Sequence, residues 1–271
     1  MIQKDLGRAF NKMAPAYDKF RPAYPDELYQ EILTYSPITS SSRVLEIGAG
    51  TGKATLPILL TGCSLTAIEP GGNLAKICSE KFAGFPNFSI ITDKFEDVSL
   101  PKDTFDLVFS ATAFHWIPEE LAYPKVFSIL KNGGTFAQFA NHPDPYIDKE
   151  DLGKELELLY SKYFYSFLDL PKAKYEPFDK GRAKQKVLTA GKYGFSDCRF
   201  YLFHRNRTFS AKEYIQLLGT YSDHISIPEP IRSEFFSKIE DAINRHGGTI
   251  TVKDTIDLQL SRKFKTKKSS V

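Results

Sequence analysis

The sequence has few of the residues that build covalent or metal-based scaffolds. Its 271 residues include three cysteines, Cys63, Cys78 and Cys198, and none of them stands in C-x-x-C spacing. An odd number without that spacing predicts neither a disulfide framework nor a zinc site, and it favours a reducing compartment. The histidines form no H-x-x-x-H pair, so no metal is expected.

Long apolar runs and a strong net charge are missing as well. No stretch of about 18 apolar residues occurs, and polar residues follow Met1, so we expect neither a membrane span nor a signal segment. A formal net charge of +3 offers no footprint for DNA. The 42% of hydrophobic residues is enough for a full core. We expect a cytoplasmic protein that binds neither DNA nor membrane; the pattern leaves monomer and dimer open.

What the sequence does have is a glycine-rich motif. Residues 44–53 read VLEIGAGTGK, an apolar strand followed by a turn that opens a helix. Gly48, Gly50 and Gly52 let the backbone approach a ligand that a Cβ atom would block. Glu46 stands two residues before the first glycine, at the carboxyl end of the strand, where open α/β sheets bind ligands.

Two other nucleotide-binding motifs fit this turn poorly. A P-loop needs glycine where the chain has Ile47, and Ser or Thr where it has Ala54. The dinucleotide fingerprint G-x-G-x-x-G needs glycine where the chain has Lys53, and it places a pyrophosphate beside the turn, where Glu46 would repel it. A ligand with an ammonium group and no phosphate, such as S-adenosylmethionine, suits the acidic residue better.

The motif resembles the first motif, E/D-x-G-x-G-x-G, of the class I S-adenosylmethionine-dependent methyltransferases, and residues 46–52 match it at every fixed position. Glu69 ends an apolar stretch about 20 residues after the first glycine, where an acid reaches ribose hydroxyls across one βαβ unit. Pro70 follows it. The resemblance is to the small-molecule type, the trans-aconitate methyltransferase-like or type 11 group. It implies S-adenosylmethionine as cofactor, S-adenosylhomocysteine as product and no metal.

Strands and helices alternate over the first half of the chain, which predicts parallel strands with right-handed crossovers. The expected strands lie near 43–47, 64–69, 88–92, 105–110 and 134–140. The expected helices lie near 4–13, 25–36, 52–61, 72–83 and 119–130. The resemblance implies an α/β fold: a doubly wound, mainly parallel, seven-stranded Rossmann-like sheet with an inserted helical cap.

After residue 140 the alternation is lost. The pattern predicts an amphipathic helix over 149–168, strands near 197–209 and 255–261, and helices near 210–219 and 229–246. The resemblance implies that both strands join the sheet, the last one antiparallel, and that the segments 141–190 and 206–250 cap the cofactor. We expect one methyltransferase domain over 1–271. Its parts are an N-terminal helical cover (1–40), a cofactor-binding core (41–140), a mostly substrate-binding cap (141–250), and a last strand with a basic tail (251–271).

Two segments flank the cofactor in the family. The link from Tyr17 to Pro25 resembles its Y-D-x-x-R-P-x-Y-P stretch, which implies that Arg21 binds the cofactor carboxylate and Tyr17 lies near the sulfonium. A plain surface turn at Arg21 is the alternative. Asp93 and Phe95 occupy the place where family members contact adenine, Phe95 as a stacking ring. Phe95 as an ordinary core residue stays open.

The end of the fourth predicted strand carries small residues followed by aromatic ones. The resemblance implies that Ala111 and His115 line the cofactor pocket and that Trp116 borders the substrate. His115, whose ordinary pKa is near 6.5, is also a candidate base. The alternative is that His115 and Trp116 cover the sheet core.

Acceptor-binding candidates come from the second half. His142 follows the fifth predicted strand. Residues 218–224 resemble the T-W-S or T-Y-S element of the family's cap, which implies that Tyr221 and His224 face the substrate; a polar turn would explain them equally. The catalytic candidates are His115, Tyr17 and Tyr221.

These observations predict methyl transfer to a small organic acceptor by in-line displacement at the sulfonium methyl. An RNA or protein acceptor is the alternative, because basic residues cluster between Lys172 and Lys186. A third hypothesis is that the protein binds S-adenosylmethionine without turnover. The sequence names neither the acceptor nor the methylated atom, and it leaves open whether a general base is used.

Overall fold

The computed structural model describes residues 18–144, 150–168 and 177–264. Its strands form one seven-stranded sheet with the order β3-β2-β1-β4-β5-β7-β6. The strands are β1 (Arg43–Ile47), β2 (Ser64–Ile68), β3 (Phe88–Ile91), β4 (Phe105–Ala111), β5 (Leu130–Asp144), β6 (Phe195–Ser210) and β7 (Thr249–Lys263). β1 to β5 pair in parallel, and β7 lies between β5 and β6. The predicted mainly parallel, doubly wound sheet is confirmed.

Helices connect most of the strands. They are α1 (Asp26–Tyr35), α2 (Thr55–Leu59), α3 (Gly72–Lys81), α4 (Glu119–Ile129), α5 (Glu150–Tyr160), α6 (Ser166–Leu168), α7 (Lys180–Lys192), α8 (Ala211–Leu218), α9 (Ser222–Ile225) and α10 (Glu229–Arg245). A 3₁₀ turn covers Phe114–Trp116, and a π turn covers Ser161–Tyr165. Along the described chain no helix is long and apolar enough to span a membrane. The predicted helix at 4–13 lies outside the described residues.

The chain divides into two compact units. The sheet unit takes the described parts of Ala23–Asn141, Phe178–Phe203 and Ile256–Val271. The second unit takes the described parts of Met1–Pro22, His142–Pro177 and His204–Thr255.

The core of the sheet unit follows from the alternation of side chains along β1. Val44 belongs to an apolar cluster with Leu28 and Ile32 of α1, whereas its neighbour Leu45 belongs to another cluster with Val126 of α4. Neighbouring strand residues point to opposite faces, so a central strand with both faces covered reads as a continuous apolar run. This burial fixes the register of β1 and hence the position of the turn after it.

The second unit has its own apolar core. Leu156 of α5, Leu217 of α8, Phe235 of α10 and Val252 of β7 are buried together in it. Helix α8 begins with a capping box, in which Ser210 Oγ accepts from the Glu213 N–H and the Glu213 carboxylate accepts from the Ser210 N–H.

Some elements differ from the sequence prediction. Helix α7 was not predicted, because it buries only Ala183 and Ala190 and therefore lacks an apolar stripe. It belongs to the sheet unit, although the cap was expected to reach residue 190. The helix predicted over 149–168 is interrupted by the π turn, and β7 begins at Thr249 rather than near residue 255.

Candidate functional site

The glycine turn follows β1 where the parallel strands end. Gly48, Gly50 and Gly52 have φ angles of +71°, +59° and +79°. A Cβ atom on Gly48 would lie 2.3 Å from Ala113 Cβ, and one on Gly52 would lie 2.4 Å from a ring carbon of Phe82. Both distances are far below van der Waals contact, so these two positions need glycine for space as well as for backbone conformation.

Glu69 fastens this turn to the loop after β2. Its Oε2 accepts a hydrogen bond from the Gly50 N–H, and its Oε1 accepts one from the Gly71 N–H, each at 2.8 Å. The side chain is almost fully buried, and burial raises its pKa despite these two bonds. Each carboxylate oxygen has a second lone pair and can also accept from a hydroxyl. The predicted contact with ribose is compatible with this geometry.

Glu46 lies beneath the turn and is 0% exposed. Its Oε2 accepts from the Thr55 hydroxyl at 2.6 Å, whereas its Oε1 has no hydrogen-bond partner among the described residues. Burial raises the pKa of Glu46 to about 8; the Thr55 bond opposes this rise, and the charge of Glu69 adds to it. The hydroxyl of Tyr29 is also buried without a partner. A buried carboxylate with an unsatisfied oxygen is suited to a cationic partner.

These features fit S-adenosylmethionine. At Gly48 and Gly52, other protein atoms occupy the space that a Cβ atom would fill. The turn therefore keeps its backbone close to the strand ends. The unsatisfied Glu46 oxygen suits the ammonium group, and Glu69 suits the ribose. Among the residues that the structure describes, no group of three side chains could hold a metal ion.

The turn after β3 corrects one prediction. Asp93 is exposed, and its Oδ1 accepts from the Lys94 N–H at 2.7 Å. Phe95, expected to stack on adenine, is 3% exposed and packs in the same cluster as Val108 and Phe114. Its ring has no open face for a ligand, so the alternative of a core residue is the right one.

The segment after β4 exposes two aromatic side chains. Phe114 is buried, with its ring edge-on to Tyr123, whereas His115 is exposed and Trp116 is 41% exposed. Their predicted places, His115 lining the cofactor pocket and Trp116 bordering the substrate, stay predictions, and so does the alternative in which they cover the sheet core. Thr112, just before them, has a φ of +53°, which is rare for a β-branched residue. Such strain is concentrated at functional sites, and the sequence pattern did not reveal it.

In the second unit, Arg21 and Tyr221 lie together. Arg21 Nε donates to Thr220 Oγ1 at 3.1 Å, and Nη2 donates to the Thr220 carbonyl at 2.9 Å. The guanidinium carbon lies 4.2 Å from the Tyr221 ring centroid. Arg21 is thus bonded to the T-Y-S element rather than forming an isolated surface turn. Its predicted contact with the cofactor carboxylate stays a prediction.

His224 belongs to the core of the second unit and is 6% exposed. Its Nδ1 lies 2.8 Å from Asp223 Oδ1, and its Nε2 lies 2.9 Å from Tyr160 Oη. Both ring nitrogens therefore have protein partners. The prediction that His224 contacts the acceptor directly is corrected, because the ring links Asp223 and Tyr160 in a buried chain of hydrogen bonds. Sequence reasoning missed Tyr160 as a partner because it lies far away along the chain. His142 is partly buried in β5, and Tyr17 lies outside the described residues.

The structure thus gathers most of the predicted cofactor residues in one unit. β1, β2, β3 and β4 are parallel neighbours, so their carboxyl ends share one edge of the sheet. The residues at or just after these ends are Glu46, Gly48, Gly50, Gly52, Glu69, Pro70, Asp93, Ala111, His115 and Trp116.

Comparison with protein families gives a match to this part of the chain. The family described as "Methyltransferase domain" matches residues 44–134. An uncharacterized methyltransferase of Bacillus cytotoxicus is 31% identical over 165 residues, which cover 58% of this chain and 75% of that protein. An uncharacterized methyltransferase of Mycobacterium tuberculosis is 29% identical over 142 residues, 52% of this chain. The match spans about half, 56%, of that relative's length.

A solved structure has the same fold. Phosphoethanolamine N-methyltransferase 2 of Haemonchus contortus, in complex with phosphomonomethylethanolamine and S-adenosylhomocysteine, superposes with a TM-score of 0.55. It is 13% identical, and the superposition covers 94% of this chain and 58% of that one. At this identity the likeness supports the fold alone.

Proposed function

We propose that this chain, which belongs to the class I S-adenosylmethionine-dependent methyltransferases, transfers a methyl group from that cofactor to a small organic acceptor. The observation that carries the proposal is the juxtaposition of the glycine turn, the buried Glu46 and the Glu69 carboxylate at one edge of the sheet. When bound there, S-adenosylmethionine supplies a methyl group on a positively charged sulfur. The leaving group is the neutral thioether S-adenosylhomocysteine.

The protein's own part is binding and alignment. The turn at Gly48–Gly52 provides close backbone approach, and Glu69 accepts hydrogen bonds from the ribose. Glu46, freed of its proton, balances the ammonium charge. Asp93 is the polar residue for the adenine edge, and Ala111 and His115 complete the pocket. Arg21 is the candidate for binding the cofactor carboxylate, and Tyr17 is the candidate for the side chain near the sulfonium.

The exposed pair after β4 supports an acceptor of modest size. The ring centroids of His115 and Trp116 lie 4.9 Å apart. Both residues follow the carboxyl end of β4, which is the parallel neighbour of β1. A flat apolar ring beside an imidazole binds a small, partly apolar molecule and orients it by one hydrogen bond.

His115 is the best placed base if the acceptor carries a proton that must leave. Its exposed ring nitrogen can accept that proton. Attack by a neutral amine needs alignment alone, because the proton leaves after the new bond forms. Tyr221 is the second candidate for a catalytic role, and the Arg21 guanidinium carbon lies 4.2 Å from its ring centroid.

Calorimetric titration tests the cofactor site. Wild type is titrated with S-adenosylmethionine, S-adenosylhomocysteine and NAD, and compared with Glu69→Ala and with Glu80→Ala, an exposed acid on α3. We expect binding of both adenosyl ligands and none of NAD, with a loss of about 1–3 kcal/mol in Glu69→Ala and none in Glu80→Ala. Binding of NAD alone would contradict the proposal. A screen of amines, hydroxy compounds and carboxylic acids would then identify the acceptor.

A further inference from the structure

Lys125 connects helix α4 to the turn after β3. Its Nζ donates to the carbonyl oxygens of Phe95, Glu96 and Val98 at 2.5, 2.9 and 2.7 Å. An ammonium group has three N–H donors, so these three carbonyls use all of them. The ammonium also lies 4.9 Å from the centroid of the buried Phe95 ring. One side chain therefore holds the backbone of a whole turn.

The turn has few other internal bonds. The N–H groups of Asp97 and Val98 both donate to the Lys94 carbonyl, at 3.0 and 3.2 Å, and the Asp93 carboxylate accepts from the Lys94 N–H. Carbonyl groups that converge on a single point repel one another unless a cation lies between them. Lys125 supplies that cation, and it therefore selects the turn conformation in which the three carbonyls point inwards.

The helix that carries Lys125 does not depend on it. Ala122, Tyr123, Val126 and Ile129 form the buried side of α4, and they belong to the same apolar cluster as β4. Loss of the ammonium therefore leaves the helix packed and removes only the bonds to the turn. Burial lowers the pKa of Lys125, and the neighbouring Glu96 and Asp97 act in the opposite direction.

We propose that Lys125 is a positioning residue for adenine: it fixes the turn Phe95–Val98 in the conformation that binds the base, without contacting the cofactor. This inference rests on the proposed function, which places adenine against the turn after β3. Since Phe95 is a core residue, the turn's contribution to recognition comes from its backbone and from Asp93. The backbone conformation of the turn is the part that Lys125 holds.

The test compares Lys125→Met with Lys131→Met in the full chain. Methionine keeps an apolar stem and removes the ammonium. Lys131 is a matched control, because its Nζ is also bonded, to Asp106 at 2.7 and 2.8 Å, but away from the turn. In titrations with S-adenosylhomocysteine, we expect the dissociation constant to rise about ten-fold or more for Lys125→Met. For Lys131→Met it should stay unchanged.

A second ligand separates positioning from general destabilisation. S-inosylhomocysteine differs from S-adenosylhomocysteine only at the base edge. The dissociation constant of the inosyl ligand divided by that of the adenosyl ligand therefore measures base recognition. We expect this ratio to fall towards one in Lys125→Met and to recover partly in Lys125→Arg, which restores charge with a different geometry. A merely structural role would weaken both ligands alike and leave the ratio unchanged.

Hydrogen exchange covers the case in which Lys125→Met does not fold. In Lys125→Arg, the amides of residues 94–98 should exchange faster than in wild type, and S-adenosylhomocysteine should protect them less. Unchanged ligand ratios and unchanged exchange would overturn the inference. Failure of wild type to bind S-adenosylhomocysteine would instead refute the proposed function, so the two outcomes are distinguishable.

Discussion

Glu46 and Glu69 stand at the carboxyl ends of adjacent parallel strands, and the charge of Glu69 contributes to the raised pKa of Glu46. Only Glu69 is held by backbone N–H donors. Glu46 has one hydroxyl donor and an unsatisfied oxygen. Burial thus raises the pKa of both acids, but only Glu69 has backbone N–H donors that oppose the rise.

Glu46 should make stability depend on pH. Its pKa rises from 4.5 to about 8 on folding, mainly through burial, so between these values the native state holds a proton that the unfolded chain has lost. Stability should therefore fall as pH rises through this window. Urea unfolding of Glu46→Gln should show a gain over wild type on the order of 2–4 kcal/mol at about pH 9 and little at about pH 5. Glu80→Gln, an exposed acid, should show no pH-dependent gain.

Cofactor binding should release a proton from Glu46. A cation at its unsatisfied oxygen lowers the pKa, so the carboxyl ionises on binding near neutral pH. Calorimetry in buffers of different ionisation enthalpy should detect this proton in wild type, and less of it in Glu46→Gln. Equal proton release in the two proteins would place the ammonium elsewhere.

Gly48→Ala should be strongly destabilising. The added methyl group would lie 2.3 Å from Ala113 Cβ, and the φ of +71° disfavours any side chain. We expect a loss of about 2–4 kcal/mol in chemical denaturation, together with loss of cofactor binding. Gly72→Ala is the matched control, since its Cβ would meet nothing within 4 Å and it begins helix α3. It should be neutral or slightly stabilising.

Asp254→Asn should destabilise the second unit. Asp254 is 0% exposed and accepts from Arg205 Nε at 3.0 Å and from Arg207 Nε and Nη2 at 2.5 and 2.9 Å. Neutralising it leaves two half-buried guanidinium groups without their shared anion, at a cost of about 3–5 kcal/mol. Asp197→Asn weakens an exposed pair with Arg199 and a longer one with Arg262, and it should cost less than about 1 kcal/mol. Thermal unfolding of both variants checks the contrast.

Trp116→Ala should separate activity from stability. Trp116 is 41% exposed and belongs to none of the three buried apolar clusters, so the melting temperature should change little, as it should for Leu60→Ala at another exposed position. If Trp116 borders the acceptor, KM for the acceptor identified by screening should rise about ten-fold or more. An unchanged KM in Trp116→Ala would remove this residue from the proposed acceptor site.

The sheet and the cofactor motif were predictable because they depend on local patterns. An apolar run, a glycine turn and an acid about 20 residues on are all legible in one βαβ unit. Helix α7 was not, since only two alanines of its mostly polar sequence are buried. The burial of Phe95 was left open, because a single phenylalanine fits a stacking role and a core role equally, and only its packing in the cluster with α4 and β4 decides between them. Tyr160 and His224 meet only through the tertiary fold.

The position of β7 also has a consequence for biosynthesis. β7 is the last strand in the described part of the chain, yet it lies between β5 and β6, which are both made earlier. While the ribosome is still translating residues 249–263, β5 has an open edge and β6 has no strand to pair with. Unpaired edges are templates for aggregation, and pairings distant along the chain form slowly. We therefore expect nascent chains that stop before β7 to depend on chaperones, and the sheet to close only after release of this segment from the exit tunnel.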